Sequence, residues 1–287
     1  MKKLHTNLTQ GNVTKLLIKF AIPFLIANIL QALYGIVDMI VVGQFVDTAI
    51  SSAGTSALTI SSQVMMLANS VVIGLATGGT VLISQYIGAG KHEKIEKAIG
   101  TFLSVFMITS VIVSIIMLIS AEPLLRLLDT PKESFDGALV YLRVSSAGMI
   151  FIFGYNALAA ILRGMGDSKR PMYFIVAATI VNIGLDVLFV GPMEMGVFGA
   201  ALATITAQAV SFLLAIIYLV RSHFSFELKL TSFKIDGAIT KLLIRLGLPS
   251  AVQQGLVQSS FLVLASIVNS YGQFGSSAAG IASKVNG

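Results

Sequence analysis

The sequence predicts an all-α membrane protein: a six-helix lobe, then a seventh span and the start of an eighth. Of the 287 residues, 55% are hydrophobic and 11% are charged, whereas soluble domains carry roughly 25% charged residues. Seven apolar segments reach the length of about 20 residues that a helix needs to cross a bilayer. A segment near the N-terminus also recurs 226 positions later. Together these observations place the chain in a membrane and give it a repeated architecture.

The spans follow one another with short polar connections. Lysines precede the first, separate the second from the third, and, with arginines, flank the fourth and fifth. A longer polar stretch separates the sixth from the seventh. The predicted spans are 20–43, 57–87, 99–120, 138–162, 171–190, 197–220 and 246–270, with an eighth beginning near Ser277.

The basic residues predict how the spans are oriented. One set of span ends carries fifteen lysines and arginines, and the other carries Arg126, Lys132 and Arg143. Because cytoplasmic loops accumulate Lys and Arg, the N-terminus is expected to be cytoplasmic. We therefore expect a multi-pass protein of the cell membrane that contacts lipid. The same bias accounts for the net charge of +6, so nucleic-acid binding is not expected.

The repeat predicts the domain organisation. Lys15-Leu16-Leu17-Ile18 recurs as Lys241-Leu242-Leu243-Ile244, and Pro23 recurs as Pro249. Six spans separate the copies, so both enter the membrane in the same direction, as parallel transporter repeats do. We expect an N-terminal lobe over 1–220, a cytoplasmic linker over 221–245, and the start of a second lobe over 246–287. The rest of that lobe is expected to be missing and to be needed for a full transporter.

Two carboxylates lie well inside predicted spans, Asp38 in the first and Asp186 in the fifth. A charged Asp at a helix centre costs about 2.5–3.5 kcal/mol on insertion scales, so such residues usually face a functional cavity. Both lie in the outer half of their spans, at similar depth. A carboxylate pair in a low dielectric titrates as a unit. It could therefore exchange H⁺ or bind Na⁺, and Na⁺ at this pair is the only metal expected.

Further polar residues line up with these acids at helical spacing. Thr179 and Asn182 precede Asp186 on one face, and Thr204 and Gln208 form a stripe in the sixth span. One polar cavity in the first lobe is one interpretation, and hydrogen bonds that merely hold helices together are the other. The candidate substrate-cavity residues are Asn28, Gln31, Tyr34, Asn156, Thr179 and Gln208, and the candidate cation-binding residues are Asp38, Asn182, Asp186 and Thr204.

Several function classes are excluded or disfavoured. The chain has no cysteine and no Walker motif, so thiolate metal sites are ruled out and an ATP-driven pump is disfavoured. No nucleophile–base set is apparent, so an enzyme is not expected. No cofactor is expected beyond the coupling ion. Pro23 fits either a kink inside the first span or a first-turn proline.

Short motifs in order give the chain a family resemblance. They are AIP at 21–23, VD at 37–38, SQYIGAG at 84–90, LRGMGDSKRP at 162–171, NIGLD at 182–186 and GVFGAALAT at 196–204. Together they resemble the multidrug and toxic compound extrusion (MATE) family. The resemblance implies twelve spans in two six-helix lobes and export of small organic, mostly cationic compounds driven by H⁺ or Na⁺.

Within the family, the chain is most similar to the DinF-like branch. That resemblance implies that Asp38, Asn182, Asp186 and Thr204 form the cation network, that Gln31 lines the cavity and that Pro23 is a kink. The NorM-like branch carries an acid in span 7, which this chain lacks. Two other interpretations stay open: a flippase of lipid-linked oligosaccharides from the same superfamily, and a non-transporting membrane fragment.

Overall fold

The computed structural model describes residues 12–45, 48–222, 234–272, 274–275 and 278–279. The longer elements within these ranges are all α-helices. They are α1 Val13–Phe45, α2 Thr48–Gly88, α3 His92–Leu127, α4 Lys132–Ala147, α5 Met149–Gly164, α6 Lys169–Val190, α7 Gly196–Arg221 and α8 Gly237–Asn269. Among the described residues, six of them are long and apolar enough to cross a membrane, and there are seven such spans if the bent pair α4–α5 is counted as one. The all-α membrane fold is therefore confirmed.

The fourth span differs from the sequence prediction. The segment 138–162, expected as one helix, belongs to α4 and α5, which meet at Gly148 with a bend of 50°. A Cβ atom at Gly148 would come within 2.4 Å of Ile205 Cγ2 on α7. The close approach of α7 thus requires a residue without a side chain, and glycine also tolerates the change in backbone direction.

The core of the first lobe lies where α3 and α5 meet. Phe102 and Phe106 of α3 are fully buried and pack with ring centroids 5.1 Å apart, edge to face. Phe153 of α5 joins them at 5.5 Å from Phe106 in the same orientation. Helix α2 reaches this cluster at Gly79, where an added Cβ would come within 2.3 Å of Phe102. Aromatic pairs in this geometry add to the burial of their area, so the cluster anchors three helices.

Helix α8, the first helix of the predicted second lobe, packs antiparallel along α2 through two matching stripes of small residues. Gly74 lies so close to α8 that an added Cβ would come within 2.3 Å of Ala251 Cβ. The two backbones touch directly, as small-xxx-small contacts allow in membranes. The stripe on α2 is Ser70, Gly74 and Gly78, and the stripe on α8 is Gly247, Ala251 and Gly255.

This packing predicts a specific cross-link. The Ser70 hydroxyl oxygen lies 3.6 Å from the position of a Cβ at Gly255. The two Cβ atoms of a disulfide are about 3.5–4.5 Å apart, so the two positions are near enough to be bridged. Since the chain has no cysteine, the pair Ser70→Cys/Gly255→Cys should form one intramolecular disulfide on mild oxidation. A faster-migrating band in a non-reducing gel would report it. The pair Gly88→Cys/Gly255→Cys is the control and should stay reduced; equal cross-linking of both pairs would contradict the antiparallel register.

Both ends of α8 are tied to the first lobe. At its start, the Thr101 hydroxyl donates to the Lys234 carbonyl and accepts from the Asp236 N–H, both at 3.2 Å. The Asp236 carboxylate accepts from the N–H groups of residues 238 and 239, which caps the helix. At the far end, Asn269 Nδ2 donates to the Leu128 carbonyl at 2.8 Å. Hydrogen bonds therefore hold both ends of α8 against α3 and the residue that follows it.

The predicted linker and eighth span are only partly covered by the described residues. Residues 223–233 lie outside them, as do most residues from 276 onward, so the beginning of an eighth span near Ser277 stays a prediction. Helix α8 begins at Gly237, nine residues before the predicted span at 246. The last part of the predicted linker over 221–245 is thus the first part of that helix.

Candidate functional site

A small polar cavity lies inside the first lobe, between α5, α6 and α7. Its volume is about 10 Å³, and a single water needs a cavity of about 10–15 Å³. An organic molecule does not fit there, but one water or one small ion does. The lining residues are Tyr155, Ile175, Ala178, Thr179, Asn182, Thr204, Ala207, Gln208 and Ser211.

The helical period explains why these side chains meet. Thr179, Asn182 and Asp186 are three and four residues apart on α6, so they share one face, and all three are buried. Thr204 and Gln208 are four apart on α7 and share the facing side. The structure thus brings together Thr179, Asn182, Thr204 and Gln208, four of the residues singled out in the sequence.

Asp186 lies one helical turn beyond Asn182, toward the end of α6, and is 0% exposed. It is four residues from the last residue of the helix, a depth of about 6 Å. Asn182 is 1% exposed, and neither its amide nitrogen nor its amide oxygen has a hydrogen-bond partner among the described atoms. A buried amide of this kind is costly unless it binds something polar. Asn182 lines the cavity, whereas Asp186 does not and lies buried one turn beyond it.

The cavity wall is fixed by hydrogen bonds to the backbone of α6. The Tyr155 hydroxyl donates to the Pro171 carbonyl at 3.1 Å, and the Ser211 hydroxyl donates to the Phe174 carbonyl at 3.3 Å. Both accepting carbonyls belong to the first turns of α6. These bonds hold α5 and α7 against α6 and keep the cavity narrow.

Tyr155 is a lining residue that the sequence did not single out, while its neighbour Asn156 was expected there. Asn156 does not line the cavity; its Nδ2 donates to the Ile152 carbonyl on the same helix at 2.8 Å. The break at Gly148 makes α5 a separate helix, so its inward face does not follow the periodicity of one continuous span. The only hint in the sequence is the tyrosine itself, because a tyrosine in a buried span usually has a hydrogen-bond partner for its hydroxyl.

Helix α1 packs against α6. Asp38, Gln31 and Tyr34 belong to α1, but their side chains lie outside the described residues, so their roles stay predictions. Asn28 is exposed and does not line the α5–α7 cavity. Pro23 lies ten residues past the start of α1, which makes it an interior proline rather than a first-turn one.

Comparisons with known proteins agree with this architecture. The model of the MatE family matches residues 23–188. The probable multidrug resistance proteins YpnP and YoeA of Bacillus subtilis (strain 168) are 31% and 32% identical, over 92% and 93% of this chain and 58% of each relative. The chain therefore spans about three-fifths of the length of these relatives.

A solved structure shares the fold. The MATE multidrug transporter DinF-BH, solved in complex with the dye rhodamine 6G, superimposes with a TM-score of 0.88 at 29% sequence identity. The alignment covers 99% of this chain and 63% of that protein. The family match covers more than half of the chain, and its members are transporters rather than enzymes. The protein described here is thus a member of the MatE family of membrane transporters.

Proposed function

We propose that the chain forms the ion-coupling part of a secondary active multidrug exporter. Its substrates are small organic, mostly cationic compounds, and it exchanges them for H⁺ or Na⁺ by alternating access. The observation that carries this is the fully buried Asp186, one turn from the buried amide of Asn182, which has no hydrogen-bond partner among the described atoms. A carboxylate retained at such a cost usually serves an ion.

The proposed ion site combines α6 with α1 and α7. Asp186 and Asn182 supply a carboxylate and an amide oxygen, Thr204 supplies a hydroxyl from α7, and Asp38 of α1 completes the set. Oxygen donors of this kind suit Na⁺, and a buried carboxylate can equally carry H⁺. Of this set, Asn182 and Thr204 line the cavity, whose volume of about 10 Å³ suits one small ion.

The proposed substrate site is not the α5–α7 cavity. A space for one water excludes an organic cation, so the drug must bind in a wider cleft between the lobes or after α5–α7 separate. This chain would supply one face of that cleft, and the second lobe would supply the other. DinF-BH is described in complex with a rhodamine dye, which makes the same dye a suitable first probe for this chain.

The relatives bear on the flippase alternative. A carrier of lipid-linked pyrophosphate needs basic side chains where the phosphates bind, and the α5–α7 cavity is too small to be that site. The multidrug resistance proteins among the relatives favour the exporter.

Gradient-driven efflux tests the proposal. Membrane vesicles carrying the chain in a full-length form would be loaded with the rhodamine dye, and an H⁺ or a Na⁺ gradient imposed separately. We expect one gradient to drive efflux and Asp38→Asn to reduce it to background with the protein still inserted. Full efflux by a well-expressed Asp38→Asn variant would contradict the role of Asp38, and no efflux under either gradient would favour the flippase. The 287-residue chain alone, in parallel vesicles, tests whether it transports or is a non-transporting fragment.

A further inference from the structure

A second cavity lies at the end of the bundle where α1 begins, far along α6 from Asp186. It is bounded by the start of α1 on one side and by the turn from α5 to α6 on the other, and its volume is about 170 Å³. Lys19 and Phe20 line it from α1, and Ser168, Lys169 and Tyr173 line it from α6 and the turn. Neither the ion site nor the substrate proposal uses it.

The cavity carries uncompensated positive charge. Its one acid, Asp167, already binds the Arg170 guanidinium and also accepts from the Arg170 N–H at 3.3 Å. The same guanidinium stacks on the Tyr218 ring at 4.5 Å from the centroid. Across the part of the chain that the structure describes, neither Lys19 nor Lys169 forms an ion pair. Two lysines from different helices therefore line one space and lack a salt-bridge partner among the described residues.

A buried hydroxyl faces the same space. Ser168 is 6% exposed and occupies the N-cap position of α6, yet its side chain makes no capping hydrogen bond. N-cap serines usually accept from the first turn of the helix. Here the hydroxyl lines the cavity instead, where it can donate to a bound anion. Two lysines and one hydroxyl around a cavity of this size match the donors that bind a phosphate.

We propose that this cavity binds the phosphate of an anionic phospholipid headgroup. Tyr173 is 57% exposed at its rim, as tyrosines at the membrane–water interface are. Phe20 lines the cavity, and Phe24, one turn along α1, is exposed with the Arg163 guanidinium 5.6 Å from its ring centroid. The acyl chain of the bound lipid would lie along Phe20 and Phe24. Basic pockets between helices at the cytoplasmic membrane surface bind anionic lipid headgroups. The Lys and Arg bias of the sequence predicts that α1 begins at this surface.

The bound lipid would join α1 to α6. Lys19 lies four residues before Pro23, so its side chain belongs to the part of α1 that precedes the interior proline. A phosphate shared by Lys19 and Lys169 ties that part to the start of α6. The lipid thus acts as a clamp on the helix pair, whether or not the chain transports anything.

Lipid titration tests the proposal on the 287-residue chain itself. The purified chain in phosphatidylcholine nanodiscs would receive increasing phosphatidylglycerol, with thermal unfolding and lipid counting by native mass spectrometry as readouts. Each lysine near the surface contributes about fivefold to affinity for an anionic lipid. Lys19→Gln/Lys169→Gln should therefore weaken phosphatidylglycerol binding by about 25-fold. Lys19→Arg/Lys169→Arg should restore it, and Ser168→Ala should weaken it by several-fold.

The matched control removes the same charge from the same face. Lys94→Gln/Lys97→Gln alters two exposed lysines of α3 and should bind phosphatidylglycerol within about twofold of the unaltered chain. An equal loss in this control would reduce the effect to general surface charge and overturn the site. Inorganic phosphate and glycerol 3-phosphate distinguish the source of the phosphate. If either stabilises the chain as strongly as phosphatidylglycerol at the same concentration, the ligand is a soluble phosphate compound and the lipid assignment fails.

Discussion

Asp186→Asn is expected to reduce ion-driven efflux by the full-length transporter to background while the protein folds and inserts normally. The substitution nearly keeps the volume of a fully buried side chain, removes its charge and replaces one acceptor oxygen with an NH2 donor. The asparagine cannot bind or release H⁺, and it attracts Na⁺ far less than a carboxylate does. Because an intramembrane charge is costly to bury, the variant should unfold at the same temperature as the original protein or above it. Dye efflux and a thermal unfolding curve measure the two effects.

The control for this prediction is Asp136→Asn, which neutralises an exposed acid of α4. It should leave efflux unchanged, since a surface carboxylate is screened by water and salt. Efflux that survives in Asp186→Asn at normal expression would remove this carboxylate from the coupling site. Loss of both efflux and thermal stability would instead make Asp186 a structural residue.

Gly74→Ala is expected to destabilise the packing of α2 on α8 by about 1–3 kcal/mol, and Gly74→Leu by more. The added methyl would lie 2.3 Å from Ala251 Cβ and 2.7 Å from Ala251 Cα, so the helices must separate. Backbone atoms cannot rotate away as a flexible side chain can. Thermal unfolding of the purified chain measures the loss.

The matched control is Gly88→Ala on the same helix, where an added Cβ meets nothing within 4 Å. There the substitution should be neutral or stabilising by up to about 1 kcal/mol, since alanine restricts the unfolded chain. Equal unfolding temperatures for Gly74→Ala and Gly88→Ala would show that α2 and α8 do not touch as described. In the full-length transporter, Gly74→Leu should also push α8 away from α2. The disulfide of the Ser70→Cys/Gly255→Cys pair should then form in lower yield.

The sequence predicted the parts of the site that depend on one helix at a time. Thr179, Asn182 and Asp186 share a face because about 3.6 residues make a turn, and that holds in any fold. Tyr155 was not predicted because the inward face of α5 depends on the break at Gly148, where Ile205 of α7 approaches closely.

Features that depend on pairs of distant segments were the hardest to predict. The spacing of Gly74 and Gly78 signals close packing, but only the fold shows that the partner is the stripe Gly247–Ala251–Gly255. Lys19 and Lys169 contributed to the predicted orientation of the spans, and Lys169 also to the family motif at 162–171. Their shared cavity exists because α1 begins beside the turn from α5 to α6, a juxtaposition 150 residues apart in the chain.

Helix α8 is attached at both ends, so a rotation about one end displaces the other end. Thr101 and Asp236 fix the beginning of the helix, and 33 residues at about 1.5 Å each place its far end roughly 50 Å away. A tilt of about 10° about the fixed end would then carry Asn269 through roughly 8 Å, which breaks its hydrogen bond to the Leu128 carbonyl. A small rotation near one membrane surface is thus amplified into release at the other.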